Sequence, residues 1–240
     1  MPREKVVRVS DIREIVYDET RWRILKIKRL KALKIMEALN RFRLYSIVHG
    51  SIARGDVTEK SDIDIFIPYC IPSYIVELAL ESIGLKPYAK LIVQATPTHA
   101  IKAYIILDQS EETVVSFPLV KLKERELEFY KFGGQLDLEG LKRGLRVPGV
   151  DKRLILIKPT RRGHIEMPVI GRESEVASLL GISVETVMER VKVLTRRDEK
   201  GRTGVFVKYE LSPDESFEEA LYKLMNRNPL VRRQVYERGQ

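Results

Sequence analysis

The stretch HGSIARGDVTEKSDIDIFI, residues 49–67, sets the tightest limits on how this chain can fold. In its last part the apolar residues Ile63, Ile65 and Ile67 alternate with Asp62, Asp64 and Phe66, the period of a β-strand with one face on a core. Asp62 and Asp64 therefore share the opposite face. Like charges that close repel, so such a pair usually calls for a cation. A polar loop upstream, Gly50 and Ser51 form a small-residue turn. Gly50 lets the backbone approach a ligand closely, and Ser51 adds a hydroxyl to the exposed amides, together a seat for phosphate oxygens. Arg54 adds charge nearby. A divalent cation on the two carboxylates would be shared with a triphosphate. Two ions about 4 Å apart would activate an attacking hydroxyl and stabilise a leaving pyrophosphate in an in-line displacement.

The flanking residues frame this unit. A helix is expected from Glu19 to Asn40, followed by a strand, RLYSIVHG, that runs into the Gly50–Ser51 turn. PSYIVELALESIGLKP reads as a helix opened by Pro72 and ended by Gly84. After it AKLIVQATP, HAIKAYIILD and TVVSFPLV are strand candidates, separated by Pro97 and by QSEET. The order strand, strand, helix, further strands predicts the α/β class, a mixed sheet with helices on it.

GSIARGDVTEKSDID resembles the GSxARGx5SDxD signature of the minimal nucleotidyltransferases of the DNA polymerase β superfamily, with every fixed position present. The resemblance implies a polymerase β-like core over roughly residues 41–120. It implies contacts from Gly50 and Ser51 to nucleotide phosphates, and metal binding by Asp62 and Asp64, with two Mg²⁺ ions, or Mn²⁺, as cofactor. Arg54 and Ser61 match the signature as well, Arg54 as a brace for the loop and Ser61 as its cap, or as nucleotide contacts. Active members usually carry a third carboxylate on a later neighbouring strand, and HAIKAYIIL has no acid. Asp108 follows at once, shares the alternation of Tyr104 and Ile106, and is the expected third catalytic and metal-binding acid. Glu111 and Glu112 read as solvated turn acids.

Formal net charge is +9, and residues 21–43 concentrate nine Lys or Arg (Arg21, Arg23, Lys26, Lys28, Arg29, Lys31, Lys34, Arg41, Arg43) against Glu37 alone. Such a helix either attracts polyanions, nucleic acid or a nucleoside triphosphate, or is a solvated face paired elsewhere in the fold. The basic helical segment, residues 1–45, is expected to pack on the core.

Residues 121–165 read as a connector that in part completes the core: a helix in KLKERELEFYKF ended by Gly133 and Gly134, and a strand, KRLILIKP, after the Pro148–Gly149 turn. Residues 166–240 resemble a winged helix-turn-helix followed by a closing helix. Val176, Ala177, Leu180, Ile182, Val187 and Val191 take helix-turn-helix core spacing around Gly181, and Ser183 caps the second helix. GVFVKYEL would supply the wing, with Lys200, Arg202 and Lys208 in or beside it. Arg190, Lys192, Arg196, Lys200 and Arg202 are the residues expected to touch RNA or DNA, against acids at Glu185 and Glu189. The other role for these helices is packing or a homodimer contact.

Cys70 is the single cysteine, which excludes an internal disulfide and a multi-cysteine zinc site. His49, His99 and His164 lack metal-ligand spacing and read as packing or surface residues. No segment approaches the roughly 20 apolar residues of a membrane span. MPREKVVRVSD has no apolar signal core, so a cytoplasmic protein is expected; the wealth of Lys, Arg, Glu and Ile points to a heat-adapted organism, and the family resemblance is to archaeal-like members. Two functions follow. One is Mg²⁺-dependent transfer of a nucleoside monophosphate from an NTP, ATP first, to a hydroxyl on RNA, protein or a small molecule. The other is a nucleic-acid-binding regulator whose transferase-like core only senses nucleotide.

Overall fold

The computed structural model describes residues 5–8, 11–201 and 204–239. From the N-terminus the elements are β1 (Arg13–Val16), α1 (Glu19–Arg41), β2 (Ile47–His49), α2 (Ser51–Arg54), β3 (Ile63–Phe66) and α3 (Ser73–Glu81). Next come β4 (Ala89–Gln94), β5 (Lys102–Ile106), β6 (Thr113–Pro118), α4 (Glu124–Gly133), β7 (Gln135–Asp137) and α5 (Leu138–Lys142). The chain ends with β8 (Gly149–Val150), β9 (Ile155–Thr160), β10 (Gly163–Pro168), α6 (Glu173–Leu180), α7 (Val184–Lys200), β11 (Val207–Glu210), α8 (Phe217–Arg227) and α9 (Pro229–Arg238). The fold is α/β, as the alternation pattern predicts.

Two compact units divide the chain: one of Met1–Leu30, Val48–Ser61 and Leu127–Thr203, the other of Lys31–Ile47, Asp62–Glu126 and Gly204–Gln240. In the second, five strands lie in the order β11-β4-β5-β6-β3. β3 runs parallel to β6, and the other neighbours are antiparallel, so the sheet is mixed. One face is apolar: Ile63 and Ile65 of β3, Val115 and Phe117 of β6, Ala103 and Ile105 of β5 and Ile92 of β4 are all buried. α8 covers it, with Phe217 edge-on to Phe117 at 5.5 Å between ring centroids. Burying a ring of that size contributes about 2–3 kcal/mol. Ser216 and Glu219 start α8 with a reciprocal capping box. Glu218 of the same turn accepts hydrogen bonds from the Ser73 amide at 2.8 Å and hydroxyl at 2.6 Å, tying α8 to the first turn of α3.

In the first unit β1-β10-β9-β8 form an antiparallel sheet. Val150, Leu154, Leu156, Met167 and Val169 from this sheet and its turns pack with Phe132 of α4 and with Val176, Ala177, Val187 and Leu194 of α6 and α7. α6 and α7 are joined by a tight corner. Gly181 turns it with φ 61, and Ser183 accepts from the Thr186 amide. Glu128 of α4 buttresses the same cap, accepting from the Ser183 amide at 2.9 Å, the Ser183 hydroxyl at 2.6 Å and the Thr186 hydroxyl.

The strand read as a wing is β11, and its partner is β4: Lys208 lies opposite Val93 and Tyr209 opposite Ile92. Alternation specifies that a strand forms but not which edge it joins. Likewise the single strand read in the connector, β9, is one of four: β8 falls where a turn is read, β10 is missed, and β1 joins from residues 13–16, outside the connector.

Candidate active site

The two halves of the motif are built by different means. Gly50 ends β2 with φ 75 and ψ −145, backbone that side chains with a Cβ seldom adopt. A Cβ there would meet nothing within 4 Å, so conformation, not space, demands glycine. The Gly50 amide donates to the Gly134 carbonyl at 2.9 Å, and the Gly50 carbonyl accepts from the Ala53 and Arg54 amides. Ser51 opens α2, and its amide and that of Ile52 belong to the first turn, which has no intrahelical acceptor. Those two amides and the Ser51 hydroxyl are the donors this turn can offer to a phosphate.

Arg54 is buried and braces the loop. Its Nε and Nη2 donate to Asp56 at 3.0 and 2.9 Å, and Nη1 donates to the Gly133 carbonyl at 2.6 Å. With side-chain exposures of 6% and 9%, this is an interior ion pair, one of the two roles its place in the signature allowed. Ser61 closes the loop by accepting the Thr58 amide at 2.9 Å on its hydroxyl, the role of a cap.

The basic helix has partners that the charge count did not reveal. Arg29 donates to the carbonyls of Ile52 and Ala53, both at 3.0 Å, and of Leu145 at 2.7 Å. Arg21 donates to Val57 at 3.1 Å and Lys28 to Ser61 at 2.7 Å. Burial, with Arg146 nearby, pushes the Arg29 guanidinium down to about 10. Three of the nine cations therefore hold the motif loop by its carbonyls rather than facing a polyanion.

On β3, Asp64 stands beside Val114 of the parallel strand β6, and Phe66 stands beside Ser116. Paired residues point to one side of a sheet. Across β6, Ser116 is opposite Tyr104 and Pro118 opposite Lys102 of β5. The aspartate face thus carries Asp62, Asp64 and Phe66, then Val114 and Ser116, then Lys102, Tyr104 and Ile106. Burial, reinforced by the negative charge of Asp64, pushes the Tyr104 hydroxyl up to about 12. The Lys102 ammonium sits 5.4 Å over the Phe66 ring.

Asp108 is engaged differently from the expectation. Its Oδ1 accepts from the amides of Glu112 at 2.8 Å and Thr113 at 3.3 Å and from the Ser110 hydroxyl at 3.1 Å, and Oδ2 accepts from Lys31 at 2.9 Å. It caps the β5–β6 turn. Burial raises its pKa, but the bonds from Thr113, Lys31 and Glu112 outweigh this and hold the carboxyl far below the usual carboxylate range. Among the described residues, no group of three or more His, Cys, Asp or Glu side chains is placed to hold a metal ion.

Arg190 turns inward, its guanidinium 4.9 Å from the Phe129 ring centre, and burial pushes it down to about 10. Lys192, Arg196 and Lys200 are exposed on α7. Arg202 lies outside the described residues. The histidines are packing or turn residues: His49 meets Tyr130 edge-on at 5.0 Å, His99 bonds Thr96 at 2.6 Å, and His164 bonds Tyr17 at 2.6 Å.

The mixed sheet flanked by helices is the architecture of a polymerase β-like nucleotidyltransferase core. The family model described as "Nucleotidyltransferase domain" matches residues 29–134, so a nucleotidyltransferase domain is present over that span, consistent with the polymerase β superfamily. No curated protein and no solved structure matches the chain at a significant level. Among the described residues no helix is long and apolar enough to cross a membrane.

Proposed function

We propose that this protein is a cytoplasmic, metal-dependent nucleotidyltransferase that moves a nucleoside monophosphate from an NTP, ATP first, to an acceptor hydroxyl on RNA, protein or a small molecule, releasing pyrophosphate. The observation that carries the reading is the complete signature inside a nucleotidyltransferase domain. Phosphate oxygens are received by the Ser51 and Ile52 amides and the Ser51 hydroxyl. Asp62 and Asp64 are hard oxygen donors of the kind Mg²⁺ or Mn²⁺ takes, one or two carboxylates completed by substrate phosphates. The ion, when bound, neutralises the triphosphate tail and the paired carboxylates. Arg54, Ser61 and Arg29 act on the reaction only by fixing the loop.

Purified protein incubated with Mg²⁺, α-labelled triphosphates and cell extract should label an acceptor, and the Asp62→Ala/Asp64→Ala variant should not. Triphosphate binding without any transfer, together with retention of a specific duplex, would favour the second reading, a regulator that senses nucleotide. What favours that alternative is specific: neither β5 nor β6 carries an acid, and Asp108 is held in its turn. The exposed cations Lys192, Arg196 and Lys200 would then face the nucleic acid.

A further inference from the structure

We infer that Arg190 of α7 receives the outermost phosphate of the triphosphate tail whose inner phosphates sit on the Gly50–Ser51 turn. The inference rests on the nucleotidyltransferase reading and names a further binding residue for it.

Arg190 reads from the sequence as a cation that faces nucleic acid, but α7 turns it inward. Its guanidinium stands 4.9 Å from the Phe129 ring centre, Phe129 lies edge-on to His49 at 6.2 Å, and His49 is the residue before Gly50. Gly134, just past the end of α4, accepts the Gly50 amide at 2.9 Å, so α4 carries Phe129 alongside the turn. All of these residues belong to the first compact unit.

What marks Arg190 is the lack of an acceptor. In the same unit Arg54 pairs with Asp56, Arg153 pairs with Asp151 and Glu166, and Arg29 donates to backbone carbonyls. The Arg190 Nε is buried with no hydrogen-bond partner, and among the described residues no carboxylate or carbonyl takes the rest of the guanidinium. A charge buried without a counter-ion is costly. Burial, followed by repulsion from Arg197, pushes the group down to about 10, and Glu189 offsets only part of this. It therefore stays cationic at neutral pH. A planar fork with uncommitted donors suits a phosphate, and a bound phosphate would supply the missing counter-charge. The arginine of the signature is spent on Asp56 and the Gly133 carbonyl. Arg190, Phe129, His49, Gly50 and Ser51 are each partly exposed, so the site is open to a ligand. Phe129 stands between Arg190 and the turn, which sets the guanidinium at the end of the tail rather than at the phosphates seated on the turn.

The test is isothermal titration of the full chain, in Mg²⁺, with a non-hydrolysable ATP analogue and with ADP. Wild type should bind the analogue more tightly than ADP, and Arg190→Met should cut that advantage about tenfold or more, the scale of one charge-assisted contact. The variant should melt no lower than wild type, because it removes an unpaired buried charge. An unchanged advantage, or an equal loss for both nucleotides, overturns the inference and leaves the transferase reading standing. No binding of either nucleotide by wild type overturns both. A second measurement needs no variant to fold: phenylglyoxal modification of Arg190, located by mass spectrometry, should slow several-fold under saturating analogue but not under ADP. Equal modification with and without the analogue overturns the inference.

Discussion

Lys31 and Asp108 form an ion pair at 2.9 Å that fastens α1 to the turn between β5 and β6. The same carboxylate takes two backbone amides of that turn, so its job is to satisfy donors that the tight reversal leaves without partners. Asp108→Ala should cost about 1–2 kcal/mol of stability, the loss of a charged cap, while nucleotide transfer per folded molecule changes less than about threefold. The pH dependence has a definite sign. A carboxyl held below its unfolded value, about 3.9, contributes stability that is complete above that pH and fades as pH falls below it. Urea midpoints of wild type and Asp108→Ala should differ constantly from pH 5 to 7 and converge as pH is lowered below 4. A loss of transfer larger than the loss of folded protein would make Asp108 part of the chemistry.

Arg54 meets Asp56 in the interior and donates as well to the Gly133 and Val150 carbonyls. Truncating one partner of such a pair leaves the other charged and buried, at a cost of about 3–5 kcal/mol. Arg54→Ala should therefore lower the denaturant midpoint sharply. Arg54→Lys should recover little, because one ammonium cannot reproduce the two-pronged contact to Asp56 and the third bond to Gly133. An Arg54→Ala protein as stable as wild type, with weakened triphosphate binding, would mean that the guanidinium serves the ligand instead.

Local patterns carried most of the second unit's strands and helices, because each is announced by alternation or by a proline or glycine within a few residues; α9 was not read. Expected helix Glu19–Asn40 is α1, Glu19–Arg41, and the three strands after α3 are β4, β5 and β6. What local pattern could not carry was partnership. Nothing in TVVSFP says that it lies parallel to DIDIF, so Val114 and Ser116 were invisible as neighbours of Asp64. Nothing in GVFVKYEL says that it adds to the edge of β4 rather than folding back as a wing. The fate of charge was hidden for the same reason: Arg29 and Lys28 reach carbonyls 23 and 33 residues away, and Arg190 covers a ring on α4. Glu128 as the buttress of the Ser183 cap is a pairing across 55 residues, which no spacing rule anticipates. The motif itself was legible because its chemistry is packed into 15 consecutive residues, Gly50 to Asp64.

Asp64 shares one face of β3 with Asp62, and its substitution should separate activity from stability. Asp64→Asn keeps the shape and removes one of two like charges. In EDTA the variant should melt at the wild-type temperature or slightly above it, whereas transfer of labelled nucleotide should fall on the order of 100-fold or more, the scale lost when a group that stabilises developing charge is removed. A variant that melts well below wild type would show that the carboxylate is structural, and undiminished transfer would remove it from the metal.

Lys102 supplies the last prediction, because its charge is held where charge is costly. Burial pushes the ammonium down to about 8, an effect that Glu126 only partly offsets. Its folded value lies below the unfolded one, about 10.4. Between those two values the unfolded chain binds more protons, so stability rises with pH across that window, and below pH 8 the full penalty of the buried charge applies. At about 1.4 kcal/mol per unit the penalty is roughly 3 kcal/mol, larger than the 0.5–2 kcal/mol or so that a cation over an aromatic ring returns, here the ring of Phe66. Lys102→Met should therefore raise the melting temperature by a few degrees at pH 7, with the advantage shrinking toward pH 10. Melting curves at the two pH values decide it: an advantage that does not change with pH would mean that the lysine's charge is not what the substitution relieved.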